Sequence, residues 1–449
     1  MTTDALQLGL ANLCFWAAGW GVHRLVAGPA RPGRLGGAAT AYLVGVAAVG
    51  VLATLLLLTG ASLEIWQVVV LCALLAGLGL VRDRRVRPTL PRFAPWWAIA
   101  LLAAFLVVLG VDLLFQPLWA YDAWAQWTPK AKSFVLFDGL DARYFQTTAP
   151  NSDYPVLVPA LEAIDFRFMG GFATQVLHLQ FFLLVVAYAG ALFELLLPRA
   201  RAVFVWALVA AVVVAPSLGI QAAYALADVP LAVFFSIAGV FAWIWLEEDD
   251  PRALALMAVF SAAALAAKNE GALFVGTLFA VVLVLTAFGR SRRKALITLA
   301  AGLVALMGIV PWRVWAHAHD LTNYYAGSAL SIEHIGRVPV AAARLARESL
   351  DPTSWLALLP LALAAAVLAW VYGGARRGPL LVLATLALSF VELVLVYWAT
   401  SLPFDYDLNT TARRVIMSPL LFAAVLSPLL LEQAVTGARR GRASRPSSG

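Results

Sequence analysis

The segment Tyr121-Asp122-Ala123-Trp124-Ala125-Gln126-Trp127-Thr128-Pro129-Lys130-Ala131-Lys132 breaks into a chain built otherwise of long apolar runs. Just before it, residues 95–114 form one such run, about as long as the ~20 helical residues that cross the hydrocarbon layer of a bilayer. The polar, aromatic and cationic residues that follow mark where the chain leaves that layer. Across all 449 residues, 62% are hydrophobic and 13% charged, against roughly 25% charged in soluble domains. This composition excludes a water-soluble globule, and within apolar runs only helices satisfy the backbone. The fold class is therefore an all-α polytopic membrane protein.

Cutting the sequence at charged and Gly/Pro-rich breaks gives roughly thirteen spans, near 5–26, 36–58, 64–81, 95–114, 175–197, 202–217, 225–246, 252–267, 271–288, 295–315, 355–372, 379–400 and 415–434. The breaks Arg31–Arg34, Arg82–Arg92, Arg199–Arg201, Glu247–Arg252, Arg290–Lys294, Arg376–Arg377 and Arg439–Arg445 then fall on one side. An excess of Arg and Lys marks that side as cytoplasmic, so the N-terminus is expected outside and the C-terminus inside. The net charge of +7 reports this orientation and contact with anionic membrane lipids rather than binding of nucleic acid. Cys14 and Cys72 lie in apolar runs and read as core residues. The N-terminus lacks the positive region of a cleavable signal peptide, so it is expected to be retained.

The long loops at 115–174, 316–354 and 401–414 face outward in this topology and hold most of the unusual polar chemistry. In the first of them, Leu157, Leu161, Ile164 and Phe168 have the spacing of an amphipathic helix lying at the membrane interface. The tail 437–449 reads as a disordered cytoplasmic segment. Three of the four lysines, Lys130, Lys132 and Lys268, fall on the outer side against the usual bias.

Asp122, flanked by Tyr121, Trp124 and Trp127, belongs at headgroup depth. There a partly desolvated carboxylate gains basicity and can take a proton from a hydroxyl, or it is an ordinary solvated loop acid. Lys130, Lys132, Arg413 and Arg414 suit a phosphate that must be held, or anionic lipid heads. Asp228 stands where a helix begins, which also fits an N-cap. Lys268-Asn269-Glu270-Gly271 joins two apolar runs almost without a loop. Charge there is costly unless Lys268 and Glu270 satisfy each other or serve a ligand. His317, His319 and Asp320 carry weak metal-ligand character without a fourth ligand. Asp405 and Asp407 suit sugar hydroxyls, a divalent ion or solvent, and Glu194 and Glu392 are isolated acids within spans.

Taken in order, Tyr121-Asp122-x-Trp124-x-x-Trp127, Lys130-x-Lys132, Ser152-Asp153-Tyr154-Pro155, Ala227-Asp228-x-Pro230, Lys268-Asn269-Glu270-Gly271 and Arg413-Arg414-Val415-Ile416-Met417-x-Pro419 resemble a bacterial GT-C-fold glycosyltransferase of the polyprenyl-phosphate-sugar-dependent, protein-mannosyltransferase and aminoarabinose-transferase-like superfamily. The resemblance runs over about 95–290 and extends weakly to the late helices. It implies N-terminal transmembrane helices over 1–94, a GT-C-like catalytic core over 95–290 and C-terminal transmembrane helices over 291–436. It further implies transfer of a sugar, with inversion, from a polyprenyl-phosphate donor to a lipid, glycan or protein acceptor outside the cytoplasmic membrane. Asp122 would be the general base. Lys130, Lys132, Lys268, Arg413 and Arg414 would hold the donor phosphate, and Asp153, Tyr154, Asp228 and Glu270 would be second acids or sugar contacts. A divalent metal, Mg or Mn, is compatible with these acids and not required by them. The rival reading is a secondary transporter or lipid-carrier flippase, which places its polar residues near the membrane midplane.

Overall fold

Apolar runs that leave no polar partner for the backbone close their hydrogen bonds within helices. A computed structural model of the protein, which describes residues 2–27, 35–80, 96–288, 291–321 and 328–443, contains helices and no strand among those residues. The α-helices are α1 (Thr2–Ala27), α2 (Ala38–Leu58), α3 (Ile65–Leu78), α4 (Trp96–Phe115), α5 (Thr128–Leu136), α6 (Ala142–Thr147), α7 (Leu157–Met169), α8 (His178–Leu196), α9 (Ala202–Val213), α10 (Pro216–Ala223) and α11 (Asp228–Glu248). They continue with α12 (Pro251–Ala267), α13 (Glu270–Phe288), α14 (Arg292–Ala305), α15 (Val310–Ala318), α16 (Arg337–Leu350), α17 (Pro352–Trp355), α18 (Leu358–Tyr372), α19 (Arg377–Ala399), α20 (Phe404–Val415) and α21 (Met417–Ala443).

Among the described residues, eight helices are long and apolar enough to cross a membrane, and ten if each of two bent pairs counts as one span. The chain is a multi-pass membrane protein. The bends have local causes. Pro216 at the start of α10 breaks α9–α10 by 45°, and a 3₁₀ turn at Leu306–Gly308, followed by Pro311, bends α14–α15 by 42°. The other three apolar runs form the shorter helices α3, α12 and α18, of 14, 17 and 15 residues.

The bundle is organised around α11, whose residues from Asp228 to Leu246 are all buried. It packs against α12, α13, α19 and α21. Small residues let neighbouring backbones close up. A Cβ on Gly45 of α2 would come 1.8 Å from the carbonyl oxygen of Phe15 on α1, and one on Gly271 would come 2.1 Å from that of Ala264. The second contact lets α13 start directly against α12, which leaves only Lys268 and Asn269 to make the turn between them.

Two expectations change. The helix over 157–169 forms, but it is enclosed by α1, α2 and α5, with all of its residues buried except Arg167 and Phe168. It does not lie on a surface: Glu162 and Asp165, which an interfacial helix would turn toward headgroups and water, are both buried. Amphipathic character belongs instead to α16 and α20, which pack on each other. Residues 437–443 continue α21 as helix rather than a disordered tail. The breaks at Arg31–Arg34, Arg82–Arg92 and Arg290 and the tail 444–449 lie outside the described residues.

The isolated acid Glu194, on α8, proves to cap a different helix. Its carboxylate accepts from the backbone N–H groups of Gly37, Ala39 and Thr40 at 2.7, 3.0 and 2.9 Å and from the Thr40 hydroxyl at 2.8 Å, which closes the N-terminus of α2. Three otherwise unpaired donors and the positive end of the helix are satisfied at once. Glu194→Ala is expected to destabilise the bundle by about 1–3 kcal/mol, read as a lower thermal midpoint in detergent, with Glu194→Gln losing less.

Candidate functional site

The segment after α4 does not continue as an α-helix. Residues Asp122–Trp127 form a π-helical turn that leads directly into α5. Such turns widen the backbone and re-aim side chains, and they are frequent at functional sites. Here the turn puts Tyr121, Asp122, Gln126 and Trp127 on the wall of a cavity of about 230 Å³. Lys268 and Glu270 line the same cavity, as do Tyr397 of α19 and Tyr406, Asp407 and Arg414 of α20.

The charges at this cavity form one chain. Arg414 Nη2 donates to Asp122 Oδ2 at 2.5 Å and to Asp228 Oδ2 at 2.9 Å. Lys268 Nζ donates to the other oxygen of Asp228 at 2.9 Å and meets Glu270 Oε1 at 2.9 Å. Burial alone would lower the Lys268 pKa, but Asp228 and Glu270 outweigh it and hold the ammonium charged. Asp228, 3% exposed, lies at the centre, while Asp122 at 25% and Arg414 at 20% reach the open side. Three carboxylates thus share two cations. A fourth acid, Asp407, is held by the hydroxyls of Thr400 and Thr411 rather than by a cation.

Several polar atoms at the cavity are buried without a hydrogen-bond partner: the donors Gln126 Nε2, Trp127 Nε1 and Arg414 Nε, and the acceptor Glu270 Oε2. Buried polar groups are nearly always paired, so orphans gathered on one cavity wall point to a ligand. Three donors and one acceptor match a molecule rich in oxygen. The carboxylates already face Arg414 and Lys268, and among the described residues no group of three His, Cys, Asp or Glu side chains is arranged to hold a metal ion. His317, His319 and Asp320 make no such group, and the His319 ring bonds the Trp315 carbonyl oxygen at 2.8 Å.

The predicted residues divide accordingly. Asp122, Asp228, Lys268, Glu270 and Arg414 converge, and Tyr154 lines the cavity. Asp228 does not cap its helix; its side chain is spent on Arg414 and Lys268. The mutual Lys268–Glu270 pair is present too, as part of the larger chain. Arg413, one residue from Arg414, turns away to Glu348 at 3.0 Å and Asp351 at 3.8 Å. Lys130 is wholly buried behind the cavity, where its Nζ donates to the Asn151 carbonyl at 2.6 Å and lies over the rings of Trp127 and Phe145. Burial pulls its pKa down to about 7, against the field of Asp153. Lys132 faces the Phe172 ring, away from the cavity.

Asp153 forms a neighbouring knot with Asn269 and Arg313. Asn269 donates to its carboxylate at 3.0 Å, and Arg313 approaches the same oxygen at 3.3 Å and Asn269 Oδ1 at 2.5 Å. This knot fixes the two-residue turn that delivers Lys268. The sequence reading missed Arg313, Gln126, Asn151 and Tyr397. Gln126 lies within the segment that was singled out, and its position between two tryptophans was the one available signal. Comparison with protein-family models, curated proteins and solved structures finds no match.

Removing Lys268 would leave two buried carboxylates without their shared cation. Lys268→Met is therefore expected to cost about 3–5 kcal/mol in thermal or denaturant unfolding. Adding Glu270→Gln to that variant should recover part of the loss, because Asp228 keeps Arg414 while Glu270, paired with Lys268, would otherwise be left charged and buried.

Proposed function

We propose that the protein is a membrane glycosyltransferase that moves a sugar from a polyprenyl-phosphate-linked donor to an acceptor hydroxyl, with Asp122 as general base. The observation that carries this reading is the shared guanidinium of Arg414, which holds Asp122 and Asp228 at the edge of a cavity with unfilled hydrogen-bonding capacity. The tyrosines Tyr121, Tyr154 and Tyr406, set beside carboxylates on that cavity, suit a sugar ring. The roughly thirteen apolar runs are read as thirteen spans, with the cavity end facing outward from the cytoplasmic membrane, the N-terminus outside and the C-terminus inside.

In this mechanism the donor phosphate competes with Asp122 for Arg414. A phosphate accepts from the Nη2 and the unpartnered Nε of the guanidinium together, the two-pronged geometry that arginine provides and lysine does not. Lys268 stabilises the negative charge that builds on the leaving phosphate. Asp122, released from Arg414, accepts the proton of the acceptor hydroxyl as its oxygen attacks the anomeric carbon from the face opposite the phosphate, which inverts that centre. Gln126 Nε2 and Trp127 Nε1 donate to sugar oxygens, and Glu270 Oε2 accepts from a sugar hydroxyl. Lys130 and Arg413 act on the fold around the site rather than on the phosphate. The transporter reading draws on the two bent helix pairs, but none of the charges at the cavity sits at either break.

The test is transfer from radiolabelled polyprenyl-phosphate sugars in membranes holding the native protein, Asp122→Asn or Arg414→Lys. The native protein should consume a donor, and Asp122→Asn should lose about 10²–10⁴-fold in rate while still inserting. Arg414→Lys keeps the charge and loses the two-pronged contact, so it should weaken donor binding. If no donor is consumed by native membranes, or Asp122→Asn is silent, the reading fails and transport is the activity to assay.

A further inference from the structure

The interior of the bundle holds a second polar cluster, which the proposed reaction does not use. On α7, Glu162 and Asp165 stand three residues apart and so share a face; they are 2% and 0% exposed. Glu162 Oε2 accepts from the Thr128 hydroxyl of α5 at 3.0 Å. Its Oε1 and both oxygens of Asp165 have no hydrogen-bond partner. Within the electrostatic reach of Asp165 lies Tyr42 of α2, which donates to Asn12 Oδ1 of α1 at 2.5 Å and accepts from Gln180 Nε2 of α8 at 3.2 Å. Gln180, 7% exposed, keeps its own Oε1 without a partner.

Every unpartnered atom in this cluster is an acceptor: four oxygens on three side chains, with no spare donor among them. Nor, among the described residues, is there a counter-cation in contact with either acid. From α5, Lys132 reaches Glu162 only through its field, with its Nζ over the Phe172 ring at 5.6 Å. Arg167, on α7 itself, directs Nη1 to Glu64 and Nη2 to Asp138; its Nε is unpartnered and makes no contact with either acid. From α1, α2 and α8 come the neutral groups Asn12, Tyr42 and Gln180, and among the described residues no hydrogen bond or ion pair joins either acid to α3 or α12. Two ionised carboxylates in such surroundings are untenable, because burying a bare carboxylate costs far more than protonating it.

We infer that Glu162 and Asp165 form a proton-binding site, held as two neutral carboxylic acids in the folded protein, whose O–H groups are the donors the cluster lacks. Burial pushes Glu162 up to about 8, against the Thr128 hydrogen bond and the field of Lys132. Burial and then the neighbouring Glu162 push Asp165 upward as well. Thr128, the group that holds Glu162, directly follows the π-turn bearing Asp122. Loss of the protons therefore charges the wall on which the candidate site is built, and the site is sensitive to alkaline pH through groups that never meet its ligand.

Both acids bind a proton more tightly folded than unfolded. The stability that Glu162 contributes in this way is fully present below its ordinary value of 4.5 and is lost as pH rises through about 8; that of Asp165 is fully present only below the ordinary aspartate value of 3.8 and declines with rising pH in the same sense. Infrared difference spectra of the purified full chain in nanodiscs, titrated from about pH 5 to about pH 9.5, should show a protonated-carboxyl carbonyl band at neutral pH. The band should shrink in Glu162→Gln and in Asp165→Asn. The thermal midpoint of the native chain should fall over the same range. The amide variants, which carry a permanent donor, should fall less and overtake the native chain above about pH 8. A residue needed only for shape would not give that crossover. The inference is overturned if the band is absent at neutral pH or unchanged in both variants. It is also overturned if the midpoint responds to sodium chloride over choline chloride and not to pH, which would assign the cluster to a metal cation. If both variants fail to fold, a pH-independent midpoint of the native chain still overturns it.

Discussion

One guanidinium joins the three parts of the chain that make the candidate site. Arg414 holds Asp122, 292 residues earlier, and Asp228, 186 residues earlier, through a single nitrogen, and Asp228 passes the connection on to Lys268 and Glu270. Unpaired, each of these groups would be costly to bury; linked, each satisfies its neighbour. The surrounding fold serves that linkage. The enclosed helix α11 fixes Asp228, the close α12–α13 turn fixes Lys268 and Glu270, and the π-turn after α4 swings Asp122 toward them.

Much of this was legible because charge in an apolar chain is conspicuous. Asp122, Asp228, Lys268, Glu270 and Arg414 could each be singled out as charges lying where a membrane protein has little use for them. Which of two adjacent arginines faces the site could not be read, since neighbours on a helix point about 100° apart and only the packing of α20 decides between them. Arg413 went to Glu348 for that reason. Lys130 was misjudged because its partners are a backbone carbonyl and two aromatic rings, none of which announces itself in sequence. The capping role of Glu194 was hidden for a similar cause: its donors are backbone groups more than 150 residues away.

The helix at 157–169 teaches the opposite lesson. Its leucine face was read correctly, but its polar face was taken for a side turned to headgroups and water. Polarity on a helix says that a face needs polar partners; it does not say that the partners are solvent. In a bundle, neighbouring helices can supply them, and here Thr128 does so for Glu162 while Asp165 is left with none.

The position of Arg414 also bears on how the protein is made. It stands at the end of α20, far along the chain from both of its acids. During synthesis, Asp122 and Asp228 leave the ribosome long before their shared cation exists. Until α20 emerges, the early helices must carry two acids whose stabilising partner has not been translated. The site is therefore closed long after its acids have been made, and a chain truncated before α20 would hold the earlier helices without ever acquiring the charge pattern of the site.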